Sequence, residues 1–210
     1  MSASTTIKLL GGVGSPYTRK MVALLRYRHI PYEVVWGDPN KVLTEMGIAP
    51  AKVALLPTLL LPDEQGELQA VCDSTPIIRR LESEHPQRSA IPTDPVIQFI
   101  DYLLEDFADE WCTKYMFHYR WHFSEDADNA GTLLPLMTEF TLSNEQVRHF
   151  KDYIAKRQID RLYIVGSNDT TAPIIDASYK RLLTVLEAHF EQQPFLLGRR
   201  PSAGDFALYG

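Results

Sequence analysis

The stretch Gly14-Ser15-Pro16-Tyr17-Thr18-Arg19-Lys20 carries the residues best placed to do chemistry. It follows the apolar run Ile7 to Leu10 and the glycines Gly11 and Gly12, and it opens an apolar-periodic segment, Met21 to Arg28. A strand that turns through glycines into a helix start places Ser15 beside free backbone N–H groups, a setting that favours negative charge. Proline at the first helical position lacks only an N–H that the helix leaves unpaired, so Ser15 reads as the N-cap and Pro16 as the first helical residue. The plain alternative is a capping serine and nothing more. Asp73-Ser74-Thr75-Pro76 starts a second helix in the same style. The run Glu105-Asp106-x-x-Asp109-Glu110 could suggest paired carboxylates or a metal site, but such a run reads as a solvated helix face. His118 and His122, four apart, have the spacing of two zinc ligands without a third, so no metal site is expected. Cys72, ending a buried strand beside Asp73, reads as an inert thiol.

These residues need elements to hold them. Ile7 to Leu10, a helix through Met21, Leu24 and Leu25, and the β-branched and aromatic Tyr32-Glu33-Val34-Val35-Trp36 read as β-α-β. Asp38-Pro39 caps a short helix to about Met46. Leu55 to Leu61 and Leu68 to Cys72 flank the turn Asp63-Glu64-Gln65-Gly66 as a hairpin, and Leu56-Pro57 is expected to be cis because a proline entering a strand cannot donate to the ladder. Residues 86–94 read as a linker between a domain at 1–85 and one at 95–210. After Asp94-Pro95, the residues Val96, Phe99, Ile100, Leu103, Leu104, Phe107 and Trp111 predict one long amphipathic helix. Ser124 to Leu142 lacks periodicity and reads as an irregular connection. Ser143-Asn144-Glu145-Gln146 is a capping box for a helix through Val147, Phe150, Ile154 and Leu162. Gly166 to Pro173 breaks the pattern before a third helix with Ile175, Tyr179, Leu182, Leu183, Leu186 and Phe190 on one stripe. Ser202-Ala203-Gly204-Asp205 is a further capping box.

The 210 residues are 45% hydrophobic and 23% charged, an ordinary globular composition. A net charge of −6 with no long basic run argues against nucleic acid as a partner. No stretch reaches the roughly 18 apolar residues that a membrane span needs, and the N-terminus lacks a signal pattern. Two cysteines without CxxC spacing point to a reducing compartment, so the expected location is cytoplasmic.

The order βαβ-α-ββα, the serine at the first turn, the proline opening the third strand and the acidic-Ser pair opening the last helix resemble the glutathione transferase (GST) family. The fold this resemblance implies is α/β plus all-α, with a thioredoxin-like N-terminal domain followed by an all-helical C-terminal domain. That second domain looks cut short, because only Phe206 to Gly210 follow the last capping box. Phe206 and Leu208 are expected to be buried, Phe206 against the helix carrying Leu182 and Leu186. Ser15-Pro16-Tyr17-Thr18 sits where thioredoxin-like redox proteins carry C-P-Y-C, so dithiol chemistry by this pair is excluded.

The resemblance also implies a function. Ser15 would activate the thiol of glutathione for attack on an electrophilic small molecule, with glutathione as substrate, no cofactor, and a homodimer as the assembly. Asp73 would accept from the γ-glutamyl ammonium, while Ser74 and the helix start would bind its carboxylate. Leu56, beside Pro57, would pair its backbone with the cysteinyl unit. Lys52, with Lys41 as the other candidate, would meet the glycine carboxylate. Tyr17, Tyr115 and Tyr119 would belong to the second-substrate pocket. The alternative is a non-catalytic GST-fold binding or assembly module.

Overall fold

Apolar β-branched and leucine runs punctuated by turn residues settle into one four-stranded sheet in the computed structural model, which describes residues 6–137 and 139–210. Strand β1 (Ile7–Gly11) pairs in parallel with β2 (Tyr32–Trp36), and helix α1 (Pro16–Arg28) makes the crossover that a parallel pair requires. Strand β3 (Thr58–Pro62) lies antiparallel to β1 and forms a hairpin with β4 (Leu68–Val71), giving the order β2-β1-β3-β4. Between β2 and β3 stands the short helix α2 (Pro39–Glu45), capped by Asp38, whose Oδ1 accepts from the Asn40 N–H at 2.9 Å. Helix α3 (Ser74–Glu84) follows β4. This is the expected thioredoxin-like βαβαββα arrangement, and the Leu56-Pro57 bond is cis.

Two compact units emerge, and they are not divided at the linker. Residues up to Glu105 together with Pro201–Gly210 make the first, and Asp106–Arg200 the second. The first unit has its core between sheet and helices, where Leu9, Met21, Leu24, Leu25, Leu59, Ile77, Ile78 and Leu81 are buried. Helix α9 (Ala203–Tyr209) joins this core: Ala203 and Phe206 are buried in it, and the Phe206 ring lies 5.5 Å from that of Tyr27 on α1. The expectation of a buried Phe206 holds, with its ring against Tyr27 of α1, whereas Leu208 is only half-buried. The Ser202–Asp205 capping box closes as expected, with the Ser202 N–H donating to Asp205 Oδ2 at 2.9 Å. Gly11 is needed where β1 leaves the sheet, because a Cβ there would stand 2.6 Å from Thr18 Cγ2.

Helix α4 (Pro95–Asp106) reverses the expected amphipathic sense. Asp101 and Glu105 are its buried residues, whereas Val96 and Phe99 are 64% and 61% exposed. The two acids stand four apart on one face, where Asp101 Oδ1 accepts from the Gly204 N–H at 2.9 Å and Glu105 is ion-paired. Helical backbone runs on through Trp111 as expected, but not as regular α-helix. In the second unit a π-helical segment, Phe107–Cys112, precedes α5 (Thr113–Trp121). Ser124 to Leu142 is not irregular throughout: α6 (Ser124–Leu133) begins with Glu125 and Asp126 in its first turn, favourable to the helix dipole. Its buried residues are the small Ala127 and Gly131, and a Cβ on Gly131 would stand 3.4 Å from the Ala155 Cβ of α7 (Asn144–Ile159). Helix α7 opens with the expected Ser143–Gln146 capping box but stops before Leu162, which lies in a separate 3-10 turn, Leu162–Val165. Helix α8 (Ala172–Phe190) completes the unit. No helix of the described residues is long and apolar enough to cross a membrane.

Phe206→Ala should remove a buried ring from the first unit's core and cost about 3–5 kcal/mol. Urea unfolding of the variant should show the loss as a lowered midpoint, and an unchanged midpoint would detach α9 from that core.

Candidate functional site

Strand register decides which turns meet. Leu10 pairs with Thr58 and Leu59 with Val71, while Gly11 pairs with Trp36. The end of β1, the start of β3 and the ends of β4 and β2 therefore share one end of the sheet. From that end emerge the turn to Ser15, the cis Leu56-Pro57 bond, the Cys72-Asp73-Ser74 turn and the Asp38 cap. Side chains tie two of these turns together, since Thr58 Oγ1 lies 3.1 Å from Cys72 Sγ and donates to the Leu55 carbonyl at 3.0 Å.

Ser15 is the N-cap of α1, in extended conformation, and its Oγ accepts from the Thr18 N–H at 3.2 Å. That bond uses an oxygen lone pair and leaves the hydroxyl proton available to donate. No acidic residue occupies the first turn of α1, so the positive end of the helix is not offset from within. Asp73 caps α3, accepting from the Thr75 N–H at 3.3 Å, and is exposed. Its φ of 76° is a conformation that non-glycine residues adopt rarely and mostly at functional turns. Ser74, the next residue, is buried.

Behind Ser74 lies a set of buried charges that includes Glu105, from the run expected to be a solvated face. Lys20 and Glu105 are each only 1% exposed and form an ion pair with Nζ to Oε1 at 2.9 Å. Lys20 Nζ also donates to Ser74 Oγ at 3.0 Å. Glu105 Oε1 accepts from Thr75 Oγ1 at 3.0 Å, and its Oε2 from Arg79 Nη2 at 2.9 Å. The acidic run is thus not a solvated face at Glu105, and Asp109 is buried as well. A signal was present: Lys20 belongs to the same stripe of α1 as Met21, Leu24 and Leu25, and all four are buried.

The other candidates are placed as follows. Leu56 borders a hollow of about 130 Å³, lined also by Asn40, Leu43, Pro50, Val53 and Leu55. Lys52 and Lys41 are both exposed beside residues lining it. Tyr17 is half-buried on α1. Tyr115 and Tyr119 lie on α5, and α8 takes up both hydroxyls: Tyr115 Oη is 2.8 Å from Ser178 Oγ, and Tyr119 Oη donates to Asp176 Oδ1 at 2.9 Å. Burial, then the Asp176 carboxylate, pushes the Tyr119 hydroxyl up to about 12.

Comparison with known proteins agrees with the fold. Residues 9–89 match the family described as the glutathione S-transferase N-terminal domain. A glutathione S-transferase from Methylobacterium radiotolerans JCM 2831, solved in complex with glutathione sulfonate, is similar over 97% of this chain and 76% of its own, with 23% identity and a TM-score of 0.50. The beta-etherase LigF from Sphingobium sp. strain SYK-6 is similar over 97% of this chain and 81% of its own, at 20% identity and a TM-score of 0.62. FzlA from C. crescentus is similar over 97% and 75%, at 17% identity and a TM-score of 0.55. At these identities the likeness is one of fold. Among curated proteins there is no match.

The histidine pair has a structural setting. No group of three or more His, Cys, Asp or Glu among the described residues could hold a metal ion. His118 is fully buried, its Nδ1 is 2.7 Å from Ser167 Oγ, and its ring stacks on His122 at 4.6 Å. Burial, then the neighbouring His122, holds the His118 imidazole below its usual range. A base whose folded pKa lies below its unfolded value of about 6.5 favours folding above that value and withdraws the contribution as pH falls through it. Thermal unfolding should therefore show stability falling from pH 7 to pH 5. His118→Asn should be less stable at pH 7 but lose less over the same interval, and parallel curves would remove His118 from the pH dependence.

Proposed function

We propose that this protein, a member of the glutathione S-transferase family with a thioredoxin-like N-terminal domain, binds glutathione at the sheet end described above and activates its thiol toward an electrophilic small molecule. The observation that carries the reading is the convergence of Ser15, the cis Leu56-Pro57 bond and Asp73-Ser74 at one end of the sheet. Glutathione offers a thiol, an ammonium and two carboxylates, and this end of the sheet offers a complement for each. Asp73 accepts from the γ-glutamyl ammonium, Ser74 with the start of α3 takes the adjacent carboxylate, and the Leu56 backbone pairs with the cysteinyl unit. Lys52, beside the hollow next to Leu56, serves the glycine carboxylate. Glutathione enters as a substrate, so the reaction calls for no resident cofactor. A cytosolic setting suits the free thiols of Cys72 and Cys112.

In the reaction, the glutathione thiol gives its proton to solvent, and the sulfur is held as thiolate by the Ser15 O–H and the start of α1. The thiolate then forms a carbon–sulfur bond with the electrophile, with Tyr17 beside it, either displacing a leaving group that departs with its electron pair to solvent or adding to an activated double bond whose carbanion takes a proton from solvent. Lowering a thiol pKa from about 8.5 by about two units takes roughly 2.7 kcal/mol, within reach of one charge-assisted hydrogen bond and a helix start together. Ser15→Ala should lower kcat about 10- to 100-fold with a reactive electrophile and leave glutathione affinity nearly unchanged. Asp73→Ala should weaken glutathione binding about 10- to 150-fold. Full turnover by Ser15→Ala would reduce Ser15 to a plain cap, and a titration showing no glutathione binding would favour a non-catalytic binding or assembly module.

Homodimer formation belongs to the same reading, and the exposed apolar face of α4 supports it. Val96, Phe99 and Leu103 are 64%, 61% and 49% exposed on that helix. Isolated exposed apolar residues are ordinary, but a stripe on one helix marks an association surface. Sedimentation should show a dimer that Phe99→Glu converts to monomer, and a monomeric parent protein would leave that face to another partner.

A further inference from the structure

Lys20 and Glu105 form a fully buried ion pair, and such a pair is seldom kept for stability alone. Desolvating two charges costs about as much as their attraction returns, and well-packed apolar replacements are often neutral or stabilising. What the pair does to Ser74 is more specific. An ammonium can only donate, so the 3.0 Å contact from Lys20 Nζ makes Ser74 Oγ an acceptor on its buried side. The single Ser74 hydroxyl proton must then point elsewhere. At the start of α3 the Thr75 N–H goes to Asp73 Oδ1, Pro76 has none, and the Ile77 N–H goes to the Asp73 carbonyl. The Ser74 N–H remains at the mouth of the helix beside its own hydroxyl. The exposed Asp73 carboxylate, one residue away, can only accept.

We propose that Lys20, held by Glu105, is a positioning residue that fixes the Ser74 hydroxyl as a donor and so makes this corner selective for the α-carboxylate of the γ-glutamyl group. The inference rests on the glutathione reading above and deepens it. With Lys20 absent, the Ser74 hydroxyl can turn inward toward Glu105, and the corner loses its preference for an anion while Asp73 keeps its own for an ammonium.

The test compares two ligands by calorimetric titration: glutathione, and 4-aminobutyryl-cysteinyl-glycine, which is glutathione without that carboxylate. The variant Lys20→Met/Glu105→Gln removes the two charges of the pair together, and Arg79, one-third exposed, meets a neutral acceptor in place of the Glu105 carboxylate. It should bind glutathione about 10-fold or more weakly while keeping its affinity for the analogue. Equal weakening of both ligands would mean a merely structural role, and no weakening would mean no role; either overturns the proposal. Should that variant not fold, Ser74→Ala, which breaks no ion pair, decides the matter. It should show the same selective loss, and an unchanged preference would overturn the proposal. If the parent protein binds the analogue as tightly as glutathione, this proposal fails alone. If it binds neither, the glutathione reading fails with it.

Discussion

Register in the antiparallel pairing of β3 is the constraint on which the candidate site depends. Leu10 facing Thr58 and Leu59 facing Val71 set the turns after β1 and β4 beside the entry to β3. A slip of one residue would send Leu59 and Leu61, both buried in the main core, to the opposite face. Both faces of β3 are buried, so the packing of Leu59 and Leu61 on one side and of Leu60 on the other fixes the site together with the core. Leu10 and Leu60 show the complementary half of the pattern, since they pack with Leu43 of α2 on the other face.

Charge is handled differently on α1 and α4 than their composition suggests. On α1, Lys20 and Arg28 lie on the buried stripe, and each meets an acid: Lys20 meets Glu105, and Arg28 meets Glu82 at 2.9 Å. Arg28 also donates to the His85 carbonyl at the end of α3. On α4 the acids turn inward because Gly204, Lys20 and Arg79 supply donors there, and the apolar residues are left on the other side. Removing one partner of the Lys20–Glu105 pair would strand a buried charge, an effect of about 3–5 kcal/mol. That cost falls on a broken pair and is not the net worth of the intact one, so the pairing fixes which face of α4 turns inward without adding much stability.

Local signals in the sequence were legible, and partner choice was not. The capping boxes at Ser143 and Ser202, the Ser15 and Asp73 caps and the hairpin turn at Asp63–Gly66 are decided within a few residues, so residue type and spacing suffice to read them. Phe206 was recognisable as a core residue, but an amphipathic stripe does not say which helix it meets, and it meets α1. Helix α6 was hidden because Ala127 and Gly131 make its contact face by being small, which hydrophobic periodicity does not register. Lys20 and Glu105 were hidden for the opposite reason: ionised side chains are placed in water by default, and burial becomes acceptable only once a partner 85 positions away is in place. Of the site, the two serines and the turns holding them could be read; the charges behind them could not.

The two serines share a physical arrangement that explains the choice of residue. Each stands at a helix start, and each oxygen accepts an internal hydrogen bond, from the Thr18 N–H at Ser15 and from Lys20 Nζ at Ser74. A hydroxyl held in this way has one proton left, and its direction is set by the bond already made. A threonine could do the same only with a methyl group crowding the helix start, and an alanine offers no donor at all. A cysteine would bring a weak donor and, near another thiol, disulfide exchange. Serine at both positions therefore gives the starts of α1 and α3 each a hydroxyl with a proton to donate and no redox chemistry.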